Sequence, residues 1–240
     1  MRFAKWVVFG LFVCITLVVS PSTLRAQATS APAATRPTGF ARWEKEISAF
    51  EAKDKTNPPP KNGLLFTGSS SIRLWKSLPE TFPDAKIVNR AFGGSAIKDA
   101  THFADRIIFP YEPKAVFLRA GGNDIHAGEP VDRVFQDYKD FVAKVRSKLP
   151  DVPIVFIGQS AAPSRWDDRD KVKQLNELVQ KFTSETPGLK YIETYDLTIT
   201  PDGQPREDLF IKDRLHPNDE GYKLMAERVR PVVEEISKSK

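Results

Sequence analysis

The chain of 240 residues is 40% hydrophobic and 28% charged, a balance that suits a folded domain with a sizeable core and excludes a disordered chain. Its single cysteine, Cys14, excludes a disulfide-stapled miniature. Lys and Arg number 36 against 31 Asp and Glu; three of the basic residues, Arg2, Lys5 and Arg25, fall in an amino-terminal leader, and the remaining excess is too small to predict a nucleic-acid partner.

Arg2 and Lys5 precede an apolar stretch from Trp6 to Val19, and Ala26-Gln27-Ala28 offers small residues for cleavage. Residues 1–28 therefore read as a signal peptide, with the mature chain starting near Thr29 and exported to a periplasmic or secreted location. An uncleaved anchor is the alternative, but the stretch is short for a bilayer span, so no stable membrane insertion is expected after cleavage. Cys14 lies inside this stretch, which leaves the mature domain without a thiol and excludes cysteine catalysis there. Residues 29–39, rich in Ala, Thr, Ser and Pro, read as a flexible linker, and residues 40–240 as one domain.

Phe40, Trp43, Ile47 and Phe50 recur at helical spacing, which predicts an amphipathic helix ended by Asn57 to Pro60. Short β-rich runs then alternate with longer helical patterns. Strands are predicted at Gly63–Thr67, Ala85–Asn89, Ala115–Arg119, Val152–Gly158 and Lys190–Thr194. Helices are predicted at Ser71–Leu78, Ile97–Ile108, Val131–Leu149, Arg169–Thr186 and Glu220–Lys238. This alternation predicts an α/β fold, a three-layer α/β/α sandwich on a five-stranded parallel, flavodoxin-like sheet. In such a sheet reactive groups gather in the loops at the carboxyl ends of the strands.

Those loops carry Gly68-Ser69-Ser70-Ser71, Phe92-Gly93-Gly94-Ser95, Gly121-Gly122-Asn123-Asp124 and, last, Asp213-Arg214-Leu215-His216. A serine after a strand-ending glycine is either a helix cap or a hydroxyl at the positive end of a helix dipole, beside free amides. Serine needs a base to take its proton, and the base needs a group to orient it. Asp213 and His216, three residues apart before the last helix, can face one another. Gly94 can offer a backbone amide and Asn123 a side-chain NH₂ to an oxyanion, although each alone reads first as a turn residue, and the weight lies in their joint occurrence.

Taken together, the four blocks resemble the GDSL-type, or SGNH, hydrolase family, over residues 63 to 235. The resemblance implies Ser70 as nucleophile, His216 as base and Asp213 as its orienter, with an oxyanion hole from Ser70, Gly94 and Asn123. It implies no cofactor. Gly94 rather than Gly93 falls five residues after Asn89, as the family spacing requires. Two positions depart from the family pattern: Ser69 replaces an Asp and Ala91 a glycine, which leaves Ser69 and Ser71 as rival hydroxyls. Platelet-activating-factor acetylhydrolase-like esterases and bacterial carbohydrate acetylesterases are the branches it most resembles. The function implied is an exported serine esterase acting on small acyl esters, above all acetyl esters, of carbohydrates or small alcohols. A lysophospholipase or thioesterase with the same triad, and a catalytically silent carbohydrate-binding protein, are the alternatives.

Arg165 and Trp166 follow the fourth strand and should overhang the crevice, where a planar cation beside an indole suits a sugar or headgroup. His126 is a third candidate substrate contact, against a solvent-facing reading. His102 reads as a surface or packing residue. The three scattered histidines, with no His-x-x-x-His pair, predict no metal site.

Overall fold

The computed structural model describes Met1, Phe3 and residues 38–239. Apart from Met1 and Phe3, the predicted signal peptide lies outside the described residues, as does nearly all of the predicted linker. Every described element of secondary structure belongs to the unit Pro37–Lys240.

A 3-10 turn, Gly39–Trp43, leads into α1 (Glu44–Thr56). Of the predicted apolar stripe, Ile47 is fully buried, while Phe40 is partly exposed and stacks on His102 with ring centroids 3.8 Å apart. The chain then runs through β1 (Leu64–Gly68), α2 (Ser70–Arg73), α3 (Leu78–Thr81), β2 (Ile87–Asn89), α4 (Ile97–His102), α5 (Ala104–Ile107) and β3 (Ala115–Arg119). It continues with α6 (Gly122–His126), α7 (Val131–Arg146), β4 (Ile154–Ile157), α8 (Arg169–Glu185), β5 (Leu189–Ile192) and α9 (Asp219–Lys238).

The strands form one parallel sheet in the order β2-β1-β3-β4-β5, the flavodoxin-like arrangement expected. Along each strand, alternate side chains enter opposite cores, because successive Cβ atoms point to opposite faces. Leu65, Val116, Leu118, Ile154 and Phe156 pack with residues of α4, α7 and α8. Leu64, Phe66, Phe117, Val155 and Ile157 pack with α2, α3 and α9. Helix α9 presents Tyr222, Met225, Ala226, Val229, Val233 and Ile236 to that second core, the recurrence of a single helical face. Each fully buried aliphatic or aromatic side chain is worth about 1.5–3 kcal/mol, so both layers are firmly seated.

Two predicted helices are corrected. The helix expected over Ser71–Leu78 stops at Arg73, and Pro79, which has no N–H to donate, opens the separate α3. The helix expected over Ile97–Ile108 breaks at Phe103, whose backbone (φ −88°, ψ 6°) leaves the helical region as its ring packs edge-on to Phe92. All five expected strands are present, β3 with the expected bounds and the others with ends that differ by at most two residues. Since β1 pairs with β2 on one side and β3 on the other, the chain reverses its direction of winding there. The resulting crevice opens at the carboxyl ends of β1 and β3.

Candidate active site

At the end of β1, Gly68 lies opposite Arg119 of β3, with φ +121°. A Cβ on Gly68 would stand 2.1 Å from Arg119 O, so only glycine lets the two strands close up at this turn. Ser69 N then donates to Arg119 O (3.0 Å), and Ser70 opens α2. Asn89 braces that short helix: its Nδ2 donates to Ile72 O (2.9 Å), and its Oδ1 accepts from Ala91 N (3.1 Å). Ser95 Oγ donates to Gly68 O (3.0 Å), joining the glycine-rich loop to the serine turn.

The opposite wall comes from the segment before α9. Arg214 adopts the left-handed conformation (φ 57°), Arg214 N donates to Ile211 O (2.8 Å), and Ile211 N donates to His216 O (2.9 Å). The tight turn brings Asp213 and His216 face to face. Asp213 Oδ2 lies 2.6 Å from His216 Nδ1, while Asp213 Oδ1 accepts from Leu215 N (2.9 Å) and His216 N (3.0 Å). Desolvation would raise the Asp213 carboxyl, but these three hydrogen bonds outweigh it and hold the group at about 2. With Nδ1–H given to the carboxylate, Nε2 is left as an acceptor, and Ser70 Oγ lies 2.8 Å from it. Ser70, 146 residues away in sequence, is thus the hydroxyl that meets the imidazole, rather than Ser69 or Ser71.

Ser70, Asn123, Arg165 and His216 line two adjoining cavities. The inner one, about 70 Å³, is walled by Ala161, Ala162, Val172 and Phe210, with Arg119 and Gln159 among its polar lining. The outer groove, about 490 Å³, is bordered by Glu46, Arg73 and Gly94. Gly94 has φ +78°, and a Cβ there would stand 3.3 Å from the Trp43 ring. Asn123 lies in α6, a helix hidden from sequence reading because its paired glycines look like a loop; Asn123 Nδ2 donates to Ser95 O (3.0 Å).

The predicted substrate contacts separate. Arg165 lines both cavities, but its Nη1 donates to Asn123 Oδ1 (2.9 Å). Trp166 lines neither; the Arg169 guanidinium lies 5.4 Å from its ring centroid. His126 also lines neither, and its Nδ1 lies 2.7 Å from Asp168 Oδ2. Sequence reading passed over Arg119, a strand-end cation that the structure buries. Arg119 donates to Gly158 O and to Ser160 Oγ (2.7 Å), and burial pushes its guanidinium down to about 10. Among the described residues no group of three or more His, Cys, Asp and Glu side chains is arranged to hold a metal, and no helix is long and apolar enough to cross a membrane.

The family model described as GDSL-like lipase/acylhydrolase matches residues 65–224. The chain belongs to the GDSL-like lipase/acylhydrolase family. Solved structures share the fold of this GDSL-like chain. One, from Streptococcus pneumonia and provisionally described as a platelet activating factor, has 19% identity and TM-score 0.71, over 81% of this chain and 94% of that one. A carbohydrate esterase family 3 protein from Talaromyces cellulolyticus has 14% identity and TM-score 0.60, over 74% and 99%. A mutant acetyl esterase with acetate ion also has 14% identity and TM-score 0.60, over 73% and 97%. No curated protein matches the chain in sequence.

Proposed function

We propose that the protein is an exported serine esterase that hydrolyses short acyl esters, above all acetyl esters of carbohydrates or similar small alcohols. The observation that carries this reading is the unbroken chain from Ser70 Oγ to His216 Nε2 (2.8 Å) and from His216 Nδ1 to Asp213 Oδ2 (2.6 Å). Ser70 Oγ attacks the ester carbonyl as its proton passes to His216 Nε2, and the tetrahedral oxyanion is met by the amides of Ser70 and Gly94 and by Asn123 Nδ2. The C–O bond to the alcohol then breaks, and His216 returns the proton to the leaving oxygen. Water, deprotonated by the same imidazole, attacks the acyl-enzyme, releases the carboxylic acid and restores Ser70. Asp213, held at about 2, stays ionised throughout.

The short-acyl assignment rests on the contrast between the cavities: about 70 Å³ inside, against about 490 Å³ in the open groove. The inner one suits an acetyl group, the outer one the alcohol. The carbohydrate and acetyl esterases of the same fold support this choice. Export is proposed from the charged, apolar and small-residue order of residues 1–28.

A fluorophosphonate probe should label the wild type at one site, and Ser70→Ala should abolish labelling and hydrolysis while leaving the circular dichroism spectrum unchanged. Across p-nitrophenyl esters, kcat/KM should be highest for acetate and fall at least tenfold by octanoate. A maximum at long chains would overturn the short-acyl assignment in favour of a lysophospholipase or thioesterase. Absence of labelling in a folded wild type would leave a carbohydrate-binding protein instead.

A further inference from the structure

A side-chain amide can sit in either of two orientations, and only one aims a donor from Asn123 at an oxyanion on Ser70. The flipped amide would present its oxygen there and repel the developing charge. Two hydrogen bonds remove the choice. Asn123 Nδ2 donates to Ser95 O (3.0 Å), and Asn123 Oδ1 accepts from Arg165 Nη1 (2.9 Å), a nitrogen that also lies 3.4 Å from Gly122 O. One amide N–H is thereby occupied and the oxygen is engaged, which leaves a single N–H for the site that Asn123 lines.

Arg165 is itself held in place for this contact. It is half-buried, and among the described residues no carboxylate forms an ion pair with it. Its backbone (φ −126°, ψ 34°) interrupts the 3-10 segment Pro163–Asp168, and the adjacent Ser164 N donates to Arg214 O (3.0 Å). The segment that presents the guanidinium to Asn123 is therefore pinned to the turn that presents His216 to Ser70. One short stretch of chain sets the spacing between the two sides of the site.

We propose that Arg165 is a positioning residue: it locks the Asn123 amide with its N–H toward the oxyanion and holds Asn123 in register with His216. This rests on the esterase reading above. A cation on the amide oxygen also polarises the N–H that remains, so the donor strengthens as negative charge develops on the substrate. An arginine that merely gripped the substrate would act on KM, whereas a positioning residue acts on kcat.

The test is a double-mutant cycle on p-nitrophenyl acetate. Asn123→Ala should lower kcat by about 10²–10³-fold, as loss of one oxyanion donor does. Arg165→Gln should lower kcat by about 10–100-fold, the range for a misplaced group, with KM changed less than about threefold. Arg165→Lys, which keeps the charge and a donor, should recover much of that loss. Because Arg165 acts through Asn123, the double variant should be no slower than Asn123→Ala by more than about threefold. Losses that multiply, or a raised KM at unchanged kcat, would overturn the proposal. A second readout is independent of turnover: the side-chain amide resonances of Asn123, identified by their loss in Asn123→Ala, should shift in Arg165→Gln. Unmoved resonances would likewise overturn it. A wild type that takes no fluorophosphonate label defeats the esterase reading instead, and the resonances still decide whether Arg165 holds the amide.

Discussion

Gly68 and Ser69 sit at the buried end of β1, whereas Asp213 and Arg214 lie on an exposed turn, and the two regions meet in the Ser70–His216 hydrogen bond. The first is shaped by close packing: the sheet leaves no room for a Cβ at Gly68. The second is shaped by local hydrogen bonds, with Asp213 accepting from Leu215, from the His216 backbone and from its ring. Carboxylates from the two sides show the same division. Asp124, behind Asn123, is pushed up to about 6, chiefly by burial, with Asp137 and Asp99 adding to the rise, and its Oδ2 has no partner among the described residues. Asp213 is drawn down to about 2 by its donors in spite of desolvation. Changes on the packed side should therefore cost stability first, and changes on the exposed side activity first.

The largest effect should come from Gly68→Ala, which forces a side chain onto Arg119 O at a positive φ. A loss of at least about 3 kcal/mol is expected, by the combined rules for overpacking and strained backbone, read as a lowered urea midpoint or as failure to fold. A folded Gly68→Ala protein of normal stability would break the contrast at its root. Asp213→Asn comes next. By analogy with triad carboxylates in general, kcat should fall about 10²–10⁴-fold through loss of the correct imidazole tautomer, while the melting temperature at neutral pH changes by only a few degrees. As its folded pKa is depressed, whatever stability Asp213 contributes is present above its ordinary range and lost as the pH falls toward about 2.

Asp124 has the opposite sign. Its folded pKa is raised, so its contribution to stability is present below about pH 4, the ordinary carboxylate range, and is lost as the pH rises through about 6. The stability of Asp124→Asn relative to wild type should improve by about 1 kcal/mol between pH 5 and pH 8, measured by urea unfolding at each pH. An unchanged difference would show that burial does not govern this side of the site. Smallest of all, Glu207→Gln removes the exposed ion pair with Arg214 (Nε to Oε2, 2.9 Å). Solvent screens so exposed a pair, so the urea midpoint should stay within error of wild type and kcat should change less than about twofold, which would sharpen the claim that the Asp213 hydrogen bonds suffice to hold the turn.

The strands were legible because each is a short apolar run between turn residues, and the glycine-rich loops because the fold requires them at one edge. The proximity of Ser70, His216 and Asp213 followed from that edge together with the family resemblance. Other features were hidden for identifiable reasons. Phe103 looks like one more apolar position on a helix, and only its packing on Phe92 shows why the helix breaks. Arg119 looks like a solvent-facing strand end, yet the carbonyl of Gly158 and the hydroxyl of Ser160, about 40 residues on, receive it. Arg165 was legible as a residue of the crevice but not as a partner of Asn123, 42 residues earlier. Hydrogen bonds between distant segments leave no periodic trace in a sequence, whereas burial and turns do.

Helix α9 begins three residues beyond His216, and its far end is tethered where Lys114 Nζ donates to Ser237 O (3.1 Å) and Ser239 O. At 1.5 Å per residue, its 20 residues, with Pro231 among them, span about 30 Å. Loss of the Lys114 tether should therefore loosen the last turn of this helix, while its first turn, beside His216, stays held by the Asn218 cap (Gly221 N to Asn218 Oδ1, 3.0 Å).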